Sequence, residues 1–207
     1  MEKNKLQHHN ITTDTLFDDI QNIIEQGRQQ AYAAANQITV LTYWHIGRRI
    51  VEEEQHGEAR AQYGTRLIKT LAEQLMPKYG NTFSKRNLDY FRQFYLCFSD
   101  LEIVNACVHN LTWTHFRTII QVADPKAREW YAKEASEQMW SSRTLRRNIG
   151  TQYYGRRMAC IREGLALPSP DIEANDPLEY IKSPVVAEFL GFRKDSKYDE
   201  SQLEQAL

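Results

Sequence analysis

Cysteine and long apolar runs are scarce in this chain, and each shortage argues against a class of protein. Of 207 residues only three are cysteines, Cys97, Cys107 and Cys160, and they lie far apart without a CxxC pair. This spacing suits free thiols in a reducing compartment better than a disulfide framework. No apolar run approaches the roughly 18 residues that cross a bilayer, and residues 1–10 lack the apolar core of a signal peptide. We therefore expect a cytoplasmic protein that does not enter a membrane.

Residue patterns of known catalytic and metal sites are also missing. The sequence contains no Gly-rich phosphate loop and no nucleophile with a neighbouring base. His109 and His115 are six residues apart, with no cysteine or carboxylate at ligand spacing, so a zinc site is not expected. We expect no catalytic residue, no metal and no other cofactor in this chain.

The formal net charge of −1 hides an uneven distribution of charge along the chain. Residues 1–162 contain 22 Lys and Arg against 17 Asp and Glu, whereas residues 163–207 contain 4 against 10. A mildly basic body is therefore followed by an acidic tail, and this asymmetry says more about partners than the net charge does.

The first third of the chain has the apolar spacing of a long helix. From Leu16 to Leu41 apolar residues recur three or four positions apart. Because no proline precedes Pro77, the pattern predicts one long helix, or two nearly collinear helices, ending near Glu54. Its Ala, Gly and Ile positions over residues 20–41 would let a neighbouring helix approach closely. We expect a homo-oligomer that forms through these amino-terminal helices.

The next two predicted helices have the outline of a helix-turn-helix unit. The first follows a turn at Gln55–Arg60 and is expected to stop at Pro77. The second begins after Ser84, whose hydroxyl can accept a bond from a first-turn N–H. Five apolar residues then stack on one face of this second helix, namely Leu88, Phe91, Phe94, Tyr95 and Phe98. A helix, a short turn and a capped helix with basic first-turn residues is typical of this motif.

The outer face of that second helix is a candidate nucleic-acid-binding surface. Its candidate contact residues are Lys85, Arg86, Asn87 and Arg92. The three in the first turn are best placed to reach base edges or flanking phosphates. Asp89 lies on the same face and would repel phosphate, so an ordinary amphipathic helix with solvated charges is the alternative.

The rest of the body also predicts helices. Residues 100–110 favour either a helix or a small strand at Glu102–Val104, the latter as part of a wing. Three further helices are expected to start at capping residues. These residues are Thr112 or Thr114, then Asp124 followed by Pro125, then Ser141 or Ser142. We expect a mainly α fold, a multi-helix domain whose helix-turn-helix unit is either plain or winged-helix-like.

The densest basic stretch is residues 141–162, which contain six arginines and no acid. Arg143, Arg146 and Arg147 lie at the start of one predicted helix, and tyrosines 153 and 154 interleave with the later arginines. Aromatic rings beside guanidinium groups suit a nucleic-acid surface, for DNA and also for RNA. The alternative is a solvated face, or a surface that pairs with the chain's own acidic tail.

Eight short motifs between Tyr43 and Leu207 form a distinctive combination, within a likeness that runs from about residue 14 to the end. They are Tyr43-Trp44-x-Ile46-Gly47-Arg48-x-Ile50, Phe83-Ser84-x-Arg86-Asn87-Leu88, Phe91-x-Gln93-Phe94-Tyr95, Leu111-Thr112-Trp113-Thr114-His115, Arg128-Glu129-Trp130-Tyr131, Trp140-Ser141-x-Arg143-x-Leu145, Phe189-Leu190-Gly191 and Leu203-Glu204-Gln205-Ala206-Leu207. Together they resemble the YhcG family of bacterial proteins. One small departure is Thr112, where the family usually has proline.

The resemblance implies an uncharacterised amino-terminal domain followed by a PD-(D/E)xK nuclease-like domain. That chemistry needs an Asp and a Glu-x-Lys group, which hold a divalent cation and activate water. Here no Glu-x-Lys follows a suitable Asp, so the family's catalytic residues cannot be placed on this sequence. The resemblance therefore implies nuclease activity for full-length relatives and not for this chain.

These observations divide the chain into four parts. We expect a flexible terminus over residues 1–12, a helical DNA-binding domain over 13–162, a Pro-containing acidic linker over 163–184 and the start of a truncated nuclease-like domain over 185–207. The favoured interpretation is a non-catalytic DNA-binding or targeting module of a YhcG-like nuclease. The alternative is a helical oligomerisation or partner-docking module that does not bind nucleic acid.

Overall fold

The described part of the protein is built from α-helices. This computed structural model describes residues 3–55 and 60–170, with side chains over residues 15–55 and 66–170. Within those ranges the chain forms eight α-helices and no strand: α1 Lys3–Gln55, α2 Arg60–Tyr79, α3 Lys85–Cys97, α4 Leu101–Cys107, α5 Trp113–Ile119, α6 Pro125–Glu137, α7 Ser142–Gly150 and α8 Tyr153–Glu163. The predicted mainly α fold is confirmed.

Helix α1 is one uninterrupted helix of 53 residues, the first of the two predicted alternatives. It begins at Lys3, within the segment that the sequence predicts to be flexible. Near its end Arg48 bonds Glu52 at 2.7 Å and Arg49 bonds Glu53 at 2.8 Å, pairs that stabilise a helix at this spacing. The predicted turn at Gln55–Arg60 lies largely outside the described residues.

The prediction that α2 stops at Pro77 is wrong, because the helix continues to Tyr79. A proline lacks the N–H that would bond the carbonyl four residues earlier, which costs most in the middle of a helix. Pro77 lies in the last turn, where the Gly80 N–H still donates to the Met76 carbonyl at 3.0 Å. The connection to α3 is therefore residues 80–84, which include a 3₁₀ turn at Asn81–Phe83.

The strand candidate Glu102–Val104 is also wrong, since these residues belong to α4. Asp100 caps this helix, and its carboxylate accepts the Glu102 N–H at 2.8 Å. Val104 and Cys107 on its inner side are buried, where α4 packs against α6. A wing is therefore not formed within the described ranges.

The remaining predicted helix starts are confirmed, with Thr112, Asp124 and Ser141 as the N-caps. The first of these is a capping box whose other member is the buried His115. Its Nδ1 accepts the Thr112 N–H at 3.1 Å, so the proton lies on Nε2, which donates to the Trp140 carbonyl at 2.9 Å. One imidazole thus caps α5 and fastens it to the loop before α7.

An aromatic cluster between α1, α3 and α5 forms the centre of the core. The rings of Tyr43 and Phe91 stack with centroids 4.1 Å apart, and the edge of Trp113 meets both of them at 5.1 and 5.2 Å. Phe94 and Phe116 extend the cluster. Trp44 closes its edge, because its indole N–H donates to the Phe98 carbonyl at 2.6 Å.

The stack of Tyr43 on Phe91 depends on a close crossing of α1 and α3 at Gly47. A Cβ at this position would overlap the backbone carbonyl of Phe91, and it would lie 3.2 Å from the Cβ of Tyr95. The two helix backbones are therefore in contact at a point where only glycine fits. Gly47 belongs to one of the sequence motifs, and the crossing is the physical reason for a glycine there.

A second aromatic group joins α6 to α7 and α8. Its members are Trp130, Tyr131, Trp140, Tyr153 and Tyr154. The hydroxyl of Tyr131 donates to the Asn148 carbonyl at 3.2 Å and accepts the Tyr154 N–H at 3.0 Å. Burial raises the pKa of Tyr131, so the hydroxyl keeps the proton that it donates. This group fixes the two arginine-carrying helices on the body.

Replacing Gly47 by Ala should lower the free energy of unfolding by about 3 kcal/mol, because α1 and α3 must separate to admit the methyl group. For a chain of this length that corresponds to a fall in Tm of roughly 6–12 °C, measurable by thermal unfolding followed by circular dichroism. Gly155→Ala is the matched control, since a Cβ there meets nothing within 4 Å and favours helix. Equal Tm values for the two variants would contradict the close crossing.

Candidate nucleic-acid interface

The arginines of residues 141–162 all reach the surface, and five of the six are exposed while Arg157 is half-buried. Arg143, Arg146 and Arg147 are three and four residues apart, so they share one side of α7. The opposite side of α7 is buried through three uncharged residues, namely Thr144, Leu145 and Asn148. The helix is therefore held by an uncharged face and presents a cationic one.

The two turns that flank α7 set its direction. Each contains a residue in the left-handed region, Met139 with φ 48° and Gln152 with φ 53°. Such residues end a helix in a tight turn. Helix α8 starts directly after Gln152. At the start of α7, the Ser141 Oγ caps the helix by accepting the Thr144 N–H at 3.1 Å.

Two arginines of α8 lie beside aromatic rings. The guanidinium of Arg156 is 5.8 Å from the ring centre of Tyr153, and that of Arg157 is 5.9 Å from the ring centre of Trp130. A ring beneath a guanidinium restricts it without neutralising its charge. We call the arginines from residue 143 to residue 157 the α7–α8 surface, which consists of Arg143, Arg146, Arg147, Arg156 and Arg157.

At the start of α3, Lys85 and Arg86 are exposed and Asn87 is half-buried. Ser84 occupies the predicted N-cap position, but its side chain makes no capping hydrogen bond, contrary to expectation. The extended backbone of Ser84 sets the helix start, and its carbonyl accepts the Leu88 N–H at 3.0 Å. The Asn87 amide donates to the Asn81 carbonyl at 3.5 Å, which ties it to the preceding 3₁₀ turn.

Tyr90 lies beside two arginines from different helices. Arg86 of α3 is 5.6 Å from its ring centre and Arg117 of α5 is 5.4 Å away. Arg86 also donates to the Tyr90 hydroxyl from Nη2 at 3.2 Å. Sequence reasoning did not single out Tyr90 or Arg117. Arg86 and Tyr90 are four residues apart, a spacing that predicts contact on one face of a helix. No pattern in the neighbouring sequence predicts that Arg117 lies beside them.

We call this second group the α3–α5 surface, which consists of Lys85, Arg86, Asn87, Tyr90 and Arg117. Helix α5 packs against both α3 and α7. The two basic surfaces therefore belong to one packed body and are joined through α5. Sequence reasoning identified parts of both surfaces, and the packing of α5 supplies the link.

The structure does not bring Arg92 together with the other candidate residues. Its Nε lies 2.6 Å from a carboxylate oxygen of Glu54, at the end of α1. The Glu54 side chain is only 11% exposed and that of Arg92 is 38% exposed. This charge therefore has a partner within the protein and connects α3 to α1.

The thiols of Cys97 and Cys107 show no sign of activation. Burial is the main cause that raises the pKa of each, so both are protonated at neutral pH. Across residues 15–55 and 66–170, no group of three His, Cys, Asp or Glu side chains is placed to hold a metal ion. The described helices also include none that is long and apolar enough to span a bilayer.

The fold and its surfaces define the described region as an all-α domain with arginine-rich exposed helices. A family model described as the DUF1016 N-terminal domain matches residues 19–156. The chain therefore belongs to that family, and the resemblance seen in its motifs is confirmed. No solved structure matches the chain.

A relative from Escherichia coli (strain K12), named "Putative nuclease YhcG", is 34% identical over 224 residues. The match covers 93% of this chain and 59% of the relative. The chain thus spans little more than half the length of that protein and corresponds to an amino-terminal YhcG-like domain.

Changing Arg92 to Gln should lower the free energy of unfolding by about 2 kcal/mol, between the values for exposed and fully buried ion pairs, because Glu54 is left nearly buried without its cation. Denaturant unfolding measures this loss. Arg48→Gln is the matched control, since the side chains of Arg48 and Glu52 are 52% and 39% exposed and an exposed pair of this kind contributes little to stability. A loss for Arg92→Gln no larger than that of the control would contradict a structural role for the pair.

Proposed function

We propose that this domain is a non-catalytic, DNA-binding module of a YhcG-like nuclease. The observation that carries the proposal is a 22-residue stretch without an acid, in which five of six arginines are exposed on two adjacent helices. Exposed cationic side chains grouped on one body are the electrostatic footprint of nucleic-acid binding. The relative's name, which refers to a nuclease, agrees with such a substrate.

The α7–α8 surface would contact the phosphate backbone. Guanidinium groups bind phosphate oxygens through paired N–H donors. Arg143, Arg146 and Arg147 stand on neighbouring positions of one helix face, so they would meet successive phosphates of one strand. Contacts of this type fix the position of the domain on DNA and carry no sequence information.

The α3–α5 surface would provide the contacts to base edges or flanking phosphates. Lys85 and Arg86 are exposed in the first turn of α3, where the helix dipole also favours an anion. Arg86 and Arg117 both lie within about 6 Å of the centre of the Tyr90 ring, at 5.6 and 5.4 Å. We propose that α2 and α3 act as a helix-turn-helix unit, with the start of α3 facing a groove.

Three arginines that bond glutamates are left out of the proposed contact set. Arg48 and Arg49 bond glutamates of their own helix, and Arg92 bonds Glu54. Their charges are compensated at short range, so they would add little to phosphate binding. We therefore omit Arg92 from the proposed contacts, although it lies on the same helix as Lys85 and Arg86.

A second candidate role is assembly of the protein through α1. The observation that favours it is a row of large apolar side chains, from Leu16 to Ile38, that the described residues leave exposed. Monomeric soluble proteins seldom expose contiguous apolar surface of this kind. Assembly and DNA binding use different parts of the molecule, so both roles are compatible.

Changing Arg143, Arg146 and Arg147 together to Ala should weaken binding to labelled double-stranded DNA and flatten its salt dependence. Each phosphate that is no longer neutralised removes roughly 0.9 from the slope of log K against log salt, so the slope should fall by about two to three. Fluorescence anisotropy across a salt series measures both quantities. A single-stranded RNA probe in the same series tests whether duplex DNA is preferred.

The matched control is Arg49, Lys69 and Lys133 changed together to Ala, which removes the same charge. These three cations are exposed and pair with Glu53, Glu73 and Glu137 of their own helices. Because phosphate binding does not depend on them in this proposal, the affinity should stay within about twofold of that of the original chain. Equal effects of the two triple changes would show a response to net charge alone and would overturn the assignment of the α7–α8 surface.

The chain itself should not cleave DNA in the presence of Mg²⁺ or Mn²⁺, since the carboxylate and lysine set of the nuclease chemistry has no counterpart in its sequence. Incubation with supercoiled plasmid, followed by gel electrophoresis, tests this. Cleavage that requires the metal and stops with a chelator would contradict the expectation. A preparation from a second purification route controls for a contaminating nuclease.

A further inference from the structure

The first part of α1 stands away from the body. Every described side chain from Thr15 to Ala31 is exposed, and Asn36 is the first buried residue of the helix. Before Thr39, six large apolar side chains of α1 are between 47% and 67% exposed: Leu16, Phe17, Ile20, Ile23, Ile24 and Ile38. Nothing among the described residues covers them.

Most of these residues follow one straight line along the helix. Successive residues are turned by about 100°, so positions 16, 20, 23, 27, 31, 34 and 38 all lie within about 40° of a line through Gly27. We call this row the α1 stripe, which consists of Leu16, Ile20, Ile23, Gly27, Ala31, Ala34 and Ile38. Phe17 and Ile24 lie along one border of it.

The α1 stripe faces away from the body of its own chain. Asn36 and Tyr43, which are buried against the body, are turned by about 160–180° from Gly27. Ile38 shows the contrast directly, because it is 57% exposed while the next residue, Thr39, is fully buried. A partner can therefore lie along the whole stripe without displacing the body.

We propose that the α1 stripe pairs with the same stripe of a second copy of this chain, in antiparallel orientation and centred on Gly27. The spacing along the stripe is 4, 3, 4, 4, 3, 4, which is the same in both directions. Residues whose numbers sum to 54 then face each other. A two-fold axis at Gly27 produces such a self-complementary interface, as expected for a homodimer.

The antiparallel arrangement also matches side-chain volumes. Ile20 meets Ala34 of the second copy, Ile23 meets Ala31, and Gly27 meets Gly27 at the axis. The Ile20 and Ile23 layers then combine a large with a small residue, and Leu16 meets Ile38 at each end, so the two halves of the interface are packed alike. A parallel pair would place Ile20 and Ile23 on their own copies in one half of the stripe and Ala31 and Ala34 on theirs in the other, so the two halves could not pack at one distance.

The charges along α1 and its exposed apolar area also support an antiparallel homodimer. A parallel pair would bring Asp19 of the two copies, which borders the stripe, to the same end, whereas the antiparallel pair separates them. Antiparallel helix dipoles also attract each other. The six large side chains expose on the order of 700 Å² per chain, close to the roughly 800 Å² per partner of a standard interface.

Sedimentation velocity of the full 207-residue chain, without nucleic acid, tests the pairing. We expect a species of twice the chain mass of 24.3 kDa. Changing Ile20 and Ile23 to Lys should raise the dissociation constant by roughly a hundredfold or more, because charges enter the apolar interface. The control is Asn22→Lys with Gln29→Lys on the opposite side of α1, which should remain dimeric. All four positions are exposed, so folding of the body is not at risk.

Cysteine cross-linking tests the orientation. A chain with Ile20→Cys mixed with a chain with Ala34→Cys should form a disulfide-linked heterodimer, while neither chain alone should link to itself. Self-linking of either variant would overturn the antiparallel arrangement. The original chain, with its three native cysteines, is the cross-linking control.

Two results of the sedimentation experiment would overturn the proposal as a whole. One is a monomer at all concentrations. This result would also be obtained if residues 171–207 of the same chain covered the α1 stripe. The other is a dimer that resists the Ile20 and Ile23 changes. Because no nucleic acid is present, these outcomes are independent of DNA binding.

Discussion

The contact between the backbones of α1 and α3 at Gly47 is the constraint on which the rest of the body depends. Without a Cβ at Gly47, the two helices approach closely enough for Tyr43 to stack on Phe91. Trp113 packs against that stack and places α5. Through His115, α5 in turn holds the loop before α7. The position of the exposed arginines is therefore set by a chain of contacts that starts at a glycine more than 90 residues earlier.

The arginines show how environment decides what one type of side chain does. On α1, Arg48 and Arg49 bond glutamates one turn away and stabilise their own helix. Arg92 bonds a nearly buried glutamate and connects two helices. On α7 the arginines stand on the outer face of a helix whose inner face is buried and uncharged. In this last setting the fold orients a group of cations toward solvent, where a large anion can reach them.

Most predictions that rest on local physics agree with the structure, although the Ser84 side chain makes no capping bond, and those that rest on short or ambiguous patterns do not. Capping at Asp124 and Ser141 was predictable, because a cap is a contact between residues two or three apart. The strand at Glu102–Val104 was wrong, since an apolar run of this length fits a strand and a short helix equally well. The stop at Pro77 was wrong because a proline in the last turn removes one bond and does not end the helix.

The sequence by itself determined the helical fold, most helix starts, the family and the arginine-rich stretch, because all of these depend on residues close together in the chain. Only the tertiary structure decided that Arg92 bonds Glu54, 38 residues away, and that Arg117 joins Arg86 at Tyr90. The tertiary structure also decided which side of α1 packs against the body, since helical spacing predicts an apolar face but not the element that packs on it. The physical reason is range: capping and periodicity act within a few residues, whereas packing and ion pairing join groups that are distant in sequence and meet only when the helices pack together.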